Sequence, residues 1–192
     1  MKTIFYATTN QGKIHSLNMD LQSLDIKVEQ ANIDLPEPRS YDVVEIAKHK
    51  VLYAYKKIKK PVVTLDSGFY IPSLNGFPRA FVNFALETIE NWGILKLVKG
   101  LDRSCEFREC LAYLTPEMEE PEYFSFAIKG TLAEKERGTK KDYHWSTLAL
   151  IFIPEGYDKT LAEMEKEEYI EWRRESHGNG AGKQFAKWLG NQ

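Results

Sequence analysis

Apolar and polar positions along this chain follow two periods, and the points where one gives way to the other mark its elements. Residues 2–8 (KTIFYAT) are β-branched and aromatic and predict a strand. Thr9-Asn10-Gln11-Gly12 is a turn, and Ile14, Leu17, Leu21 and Leu24 then recur at helical spacing, predicting a helix from Lys13 to about Leu24. Residues 26–31 alternate as a second strand, followed by a polar loop with Pro36 and Pro38. Val44, Ala47, Val51, Ala54 and Ile58 form one stripe of a helix over 42–58. The apolar run 61–65 (PVVTL) predicts a short strand inside a sheet, leading directly into Asp66-Ser67-Gly68. Residues 81–98 read as helical with a break near Trp92-Gly93.

After Gly100 the pattern changes. Residues 105–114 and 122–133 predict two antiparallel strands around an acidic turn, and 134–143 a charged, solvated loop. Residues 147–153 (TLALIFI) predict a buried strand. A turn at 154–158, a Lys/Glu-rich stretch and a last helix carrying Phe185 and Trp188 complete the chain. Alternating α and β elements, then paired strands, then helix imply an α/β fold with a mixed sheet and two lobes around a cleft.

Composition narrows the function more than the fold. The chain has 192 residues, which fits one large domain or two small lobes sharing a cleft. A net charge of −2 does not call for a nucleic-acid polymer as partner. Cys105 and Cys110 are too widely spaced for a redox pair and too few for a zinc site, which suits reduced thiols in the cytoplasm. No segment approaches the length of a membrane span or a secretory leader.

Candidate chemistry sits at two turns. A strand, then Thr8-Thr9-Asn10-Gln11-Gly12-Lys13, then a helix is an arrangement that binds phosphate, because the helix start offers N–H groups and a positive dipole end. Lys13 in the first turn opposes the dipole unless an anion sits there. The plain alternative is a helix capped by Asn10 with Lys13 in solvent. Asp66, at the expected carboxyl end of an apolar strand, is placed to bind Mg²⁺ or act as a general base, with Ser67 beside it and Gly68 clearing the backbone. A turn residue closing the strand is the competing reading. Glu37, between two prolines, suits a metal ligand or a surface acid, and Lys50 suits phosphate neutralisation or solvent.

Five segments in order, ATTNQGK, DLPE, EIAKHK, VTLDSGFYIPSLNGFP and the tail PEGYDKTLAEM…SHGNGAGKQFAKWL, resemble the Ham1-like inosine-triphosphate pyrophosphatase family over nearly the whole chain. The resemblance implies a single domain over 1–192 with an elongated mixed sheet and a cleft near residues 8–13, 37, 50, 66 and 176–177. It also implies a homodimer and Mg²⁺-dependent hydrolysis of a nucleoside triphosphate to the monophosphate and pyrophosphate. By position, Asn10, Lys13 and Lys50 would hold phosphates, Glu37 the metal, and Asp66 would activate water. Ser176 and His177 would lie beside the base.

The sequence departs from that pattern at several points. Leu65 and Ser16 stand where the family carries acids. Ser146-Thr147-Leu148-Ala149-Leu150 replaces the family's F-G-[WY]-D-P stretch, Gly178 replaces an arginine, and Trp172 a lysine. One reading is a rebuilt base pocket in which His144, Trp145 and Trp172 stack a different or modified base, with Arg173 or Arg174 reaching in. The other is a nucleotide-binding regulator that has lost catalysis. A hydrolase of nucleotide sugars or diphosphates is a third.

Overall fold

The computed structural model describes residues 2–36 and 38–192. In chain order the elements are β1 (Lys2–Ala7), α1 (Gln11–Asp20), β2 (Ile26–Ala31), α2 (Val43–Ile58), β3 (Val62–Tyr70), β4 (Pro78–Arg79), α3 (Val82–Thr88), α4 (Glu90–Leu97), β5 (Ser104–Leu114), β6 (Glu122–Leu132), β7 (Phe152–Pro154), α5 (Lys166–Ser176) and α6 (Ala181–Gly190). Among the described residues the strands form one mixed sheet of seven, ordered β2-β1-β3-β5-β6-β7, with β4 paired to β3. β1 runs parallel to both β2 and β3, and Tyr6 stands opposite Val63.

The chain divides into two compact units. The first comprises Met1–Ser67, Glu109–Phe126 and Gly178–Gln192. Its core joins Ile4, Tyr6, Val28, Val63, Leu111 and Tyr113 from the strands to Ile14, Leu17 and Leu21 of the α1 segment and Phe185 of α6. Tyr113 and Phe124 both pack on Phe185, with ring centroids 4.8 and 5.4 Å away. α2 is fixed at both ends. The Asp42 side chain accepts from Val44 N at 2.7 Å, Glu45 lies in the first turn, and Lys56 and Lys57 lie in the last turn, where the dipole favours them.

The second unit comprises Gly68–Arg108 and Ala127–His177. Phe107 packs against Phe69 and Phe152 at 4.7 and 4.8 Å between centroids. α5 carries Glu167 and Glu168 in its first turn and Arg173 and Arg174 in its last, and buries Tyr169 and Trp172.

Three sequence expectations change, and one stretch without an assigned element gains one. β3 does not stop before Asp66 but runs through it to Tyr70, because Phe69 and Tyr70 extend the ladder by pairing with Arg79 and Pro78 of β4. The helical region 81–98 breaks at Ile89-Glu90, where Glu90 takes a φ of 57°, and not at Trp92-Gly93. Residues 147–150 form a 3-10 turn, with the Ser146 hydroxyl accepting from Leu148 N at 3.3 Å, and only Phe152–Pro154 is strand. The Lys/Glu-rich stretch after residue 165 is a true helix, α5.

Candidate active site

Alternation along β3 divides its side chains between two faces. Val63 and Leu65 pack into the core with Tyr6 and α1, whereas Thr64 and Asp66 face α2. The Thr64 hydroxyl donates to the Ala47 carbonyl at 3.1 Å. Three residues further along α2, the Lys50 ammonium donates to Asp66 Oδ1 at 2.8 Å. Lys50 is 9% exposed and therefore not the solvated lysine that its isolated position in a helix suggests. Asp66 Oδ2 is buried with no hydrogen-bond partner. A buried polar atom left in this state asks for a ligand, since the loss of hydration is otherwise uncompensated.

A second lysine reaches the same stretch of β3. Lys13 of α1 donates its ammonium to the Leu65 carbonyl at 3.0 Å. The preceding turn is ordered by its own side chains. Thr8 Oγ1 accepts from Asn10 N at 3.1 Å, and Asn10 Oδ1 accepts from Lys13 N at 3.2 Å. The helix-cap reading of Asn10 is thus present in the structure, but Lys13 is not left in solvent. Thr9, Asn10 and Ser67 are exposed. Within the first unit, therefore, Thr8, Asn10, Lys13, Lys50, Asp66 and Ser67 come from the first turn, α2 and the middle of β3.

Gly68 acquires a different role from the one its motif suggests. A methyl group there would lie 2.6 Å from the Arg79 carbonyl oxygen. The missing side chain lets β3 and β4 approach each other.

Glu37 lies outside the described residues. Among the described residues, no group of three or more His, Cys, Asp and Glu side chains is placed to hold a metal ion. The observation that fits a hard cation is the orphaned Asp66 Oδ2. Mg²⁺ usually takes one or two carboxylates and completes its shell with waters and substrate phosphates.

Ser176 and His177 belong to the second unit, at the end of α5. His177 Nδ1 lies 3.0 Å from the Arg173 carbonyl and 3.1 Å from Ser176 Oγ. A proton on Nδ1 donated to that carbonyl leaves Nε2 as the acceptor of the neutral ring. Burial, and then the Arg173 guanidinium, hold this histidine below its ordinary pKa. Near it, Trp145 is 47% exposed and fixed edge-on by Phe107 and His177, at 5.6 and 5.7 Å between centroids. The Arg173 guanidinium stands 5.6 Å over its ring. Trp172 and His144, expected as stacking partners for a base, are 3% and 4% exposed and pack on Tyr169 instead. Burial removes both from that role.

Two residues of the first unit escaped the sequence reading. Tyr6 places a phenol in the core with its hydroxyl buried and unpartnered. Glu109 accepts from Ala181 N at 3.2 Å, at the start of α6. Their signal was a polar group inside an otherwise apolar strand, FYA in one case and ECLAYL in the other.

A model of the Ham1 family matches residues 4–188. A dITP/XTP pyrophosphatase of Methanopyrus kandleri is 38% identical across all of this chain and 97% of its own length. Another protein of that name, from Thermococcus kodakarensis, is 31% identical over 96% of this chain and 95% of itself. Among solved structures, the Ham1 protein of Staphylococcus aureus matches with a TM-score of 0.78 at 26% identity, covering 99% of both chains. A HAM1 protein from Coxiella burnetii shares the fold over the whole of both chains, with a TM-score of 0.83 at 24% identity.

Proposed function

We propose that this chain, which belongs to the Ham1 family, is a nucleoside-triphosphate pyrophosphatase that releases a monophosphate and pyrophosphate. The observation that carries the reading is the Lys50–Asp66 pair with its orphaned second carboxylate oxygen, next to the peptide carbonyl held by Lys13. Hydrolysis at a phosphoryl centre depends on positioning and charge neutralisation, and little on covalent help. Lys13 and Lys50 bring two positive charges to adjacent residues of β3 to meet the phosphates. Thr8, Thr9, Asn10 and Ser67 add hydrogen-bond donors. Asp66, held through Oδ1 by Lys50, offers Oδ2 to accept a proton from the attacking water or to bind the cation. Asp66 and Glu37 would hold Mg²⁺, which when bound would supply Lewis-acid charge to the phosphate oxygens.

The second unit carries the residues assigned to the base, Ser176 and His177, and Trp145 is the exposed aromatic face among them. A base stacked on Trp145 and not read by an aspartate at 149 favours an enzyme that accepts altered bases over one strict for inosine. A homodimer in the cytoplasm completes the reading, in keeping with two free, buried cysteines. Among the described residues no helix is long and apolar enough to cross a membrane.

The test is a pyrophosphate-release screen with Mg²⁺ over standard and modified nucleoside triphosphates, with products separated by ion exchange. Monophosphate and pyrophosphate in equal amounts support the reading. Binding of a triphosphate without cleavage replaces it with a nucleotide-binding regulator. Light scattering on the eluted protein checks the dimer.

A further inference from the structure

β2 lies at the edge of the sheet beside β1, and α1 packs against it. Ile4 and Val28 are register partners in the core with Ile14 and Leu17 of α1. Tyr6 and its partner Gln30, two residues further on, therefore face α1 as well. Side-chain amides tie α1 to this edge. Asn18 Nδ2 donates to the Val28 carbonyl at 3.3 Å, and Asn18 Oδ1 accepts from Val28 N at 3.1 Å. Those bonds satisfy backbone groups that an edge strand leaves open. A second amide link lies at the start of the helix, and it reaches the turn that precedes it.

Gln30 makes that link. Its Nε2 donates to the Thr8 carbonyl at 3.0 Å, while its Oε1 accepts from Gln11 Nε2 at 2.8 Å. The two bonds use both ends of one amide and so fix which way it faces. The peptide it holds joins Thr8 to Thr9 and is trans. In a trans peptide the carbonyl and the N–H point in opposite directions. Pinning the Thr8 carbonyl toward Gln30 therefore turns the Thr9 N–H away from β2. β1 separates β2 from β3, so that direction is the side on which β3 carries Leu65, Asp66 and Ser67. Thr9 is exposed, and its N–H has no acceptor among the described residues.

We propose that Gln30 is a positioning residue for phosphate binding: through the Thr8 carbonyl it presents the Thr9 N–H to a phosphate oxygen of the substrate. The proposal rests on the pyrophosphatase reading and adds to it a residue that never touches the nucleotide. A peptide free to rotate turns its carbonyl to the ligand as readily as its N–H, and a carbonyl oxygen repels a phosphate. A pinned peptide has its donor in place before the anion arrives, so binding needs no reorganisation there. Hydrogen bonds to a charged acceptor are the strong ones, which makes a misdirected donor costly. Asn18 anchors the helix to β2 by itself, and Gln30 is left to govern the turn.

The test is titration of the full chain with bismethylene triphosphate, the non-hydrolysable analogue of inorganic tripolyphosphate, in the presence of Mg²⁺. Wild type, Gln30→Met and Asn18→Ala are compared by calorimetry, with thermal melts to establish that each folds. Gln30→Met keeps the length of an exposed side chain and drops both amide bonds. Asn18→Ala loosens α1 on β2 without touching the Thr8–Thr9 peptide. The proposal expects affinity to fall about tenfold in Gln30→Met and to stay within about twofold in Asn18→Ala. In threonine-labelled protein, the analogue should move the Thr9 amide proton of wild type downfield, and that shift should shrink in Gln30→Met. Thr9→Ser identifies the signal. Wild-type affinity in Gln30→Met, an equal loss in Asn18→Ala, or a Thr9 amide that the analogue leaves unmoved overturns the proposal. Hydrolysis, assayed separately, keeps the two readings apart. If wild type cleaves triphosphates and Gln30→Met binds the analogue normally, only this inference falls. If wild type binds the analogue through Thr9 in a Gln30-dependent way and cleaves nothing, only the pyrophosphatase reading falls.

Discussion

Lys50 holds one oxygen of Asp66 at 2.8 Å and leaves the other buried with no partner. The pair combines an anchored carboxylate with an unmet bonding capacity, which is the condition expected of a group that works on a ligand.

Removing the anchor should be harmful to the fold as well as to the chemistry. Lys50→Met strands a charge that is 16% exposed in its side chain. We expect a loss of up to about 3 kcal/mol in urea denaturation. Adding Asp66→Asn to that variant should restore part of it, because the stranded charge is gone. A double-mutant cycle reads the coupling directly, and purely additive losses would count against a buried, coupled pair.

Gly68→Ala tests the pairing of β3 with β4. The added methyl group meets the Arg79 carbonyl, and one of the two strands must shift. We expect a destabilisation of about 1–3 kcal/mol by denaturant titration, comparable to overpacking a core. A neutral effect would mean that the β4 contact is loose.

Much of the fold was legible because helical and strand periods are strong wherever one face is buried. α2 announces itself through Val44, Ala47, Val51 and Ala54, and β1 and β2 through their apolar runs. Asp66 was misplaced at a strand end because Asp-Ser-Gly is a turn signal locally, and only the long-range pairing of Phe69 and Tyr70 with β4 overrides it. α5 was missed because KEEYIEWRRES is dense in charge, and its stripe is reduced to Tyr169 and Trp172. At the site, the motif order marked Lys13, Lys50 and Asp66, but the contact of Lys50 with Asp66 is tertiary. Tyr6 carried no motif at all, and only its burial draws attention to it.

The buried His144 and the half-buried His177 of the second unit give a signed pH prediction. His144 is held below its ordinary value of 6.5 by burial and then by Lys140 and Lys141, and His177 by burial and then by Arg173. The folded state therefore favours the neutral rings. Their contribution is fully present above pH 6.5 and is lost as the pH falls through the lowered folded values, because the unfolded chain takes up the protons first. We expect the Tm to fall as the pH is lowered from about 7 to about 5.5. His177→Asn should flatten that slope, and an unchanged slope in both His177→Asn and His144→Asn would contradict the assignment.

Trp145 and Trp172 should separate cleanly. Trp145→Ala is predicted to raise KM for nucleoside triphosphates while leaving cleavage of inorganic tripolyphosphate unchanged, since tripolyphosphate has no base to stack. Trp172→Ala removes a buried ring and should destabilise the protein by about 3–5 kcal/mol. Equal loss on both substrates for folded Trp145→Ala would remove Trp145 from base recognition.

The central claim is that Asp66 governs cleavage of the bond between the α and β phosphates. The most direct measurement is single-turnover hydrolysis of the best triphosphate from the screen by wild type and by Asp66→Asn, with every phosphorus product resolved by ³¹P spectroscopy. The account predicts monophosphate and pyrophosphate from wild type and a rate at least about 100-fold lower in a folded Asp66→Asn. Diphosphate and orthophosphate as products, or a variant that turns over at the wild-type rate, would contradict it.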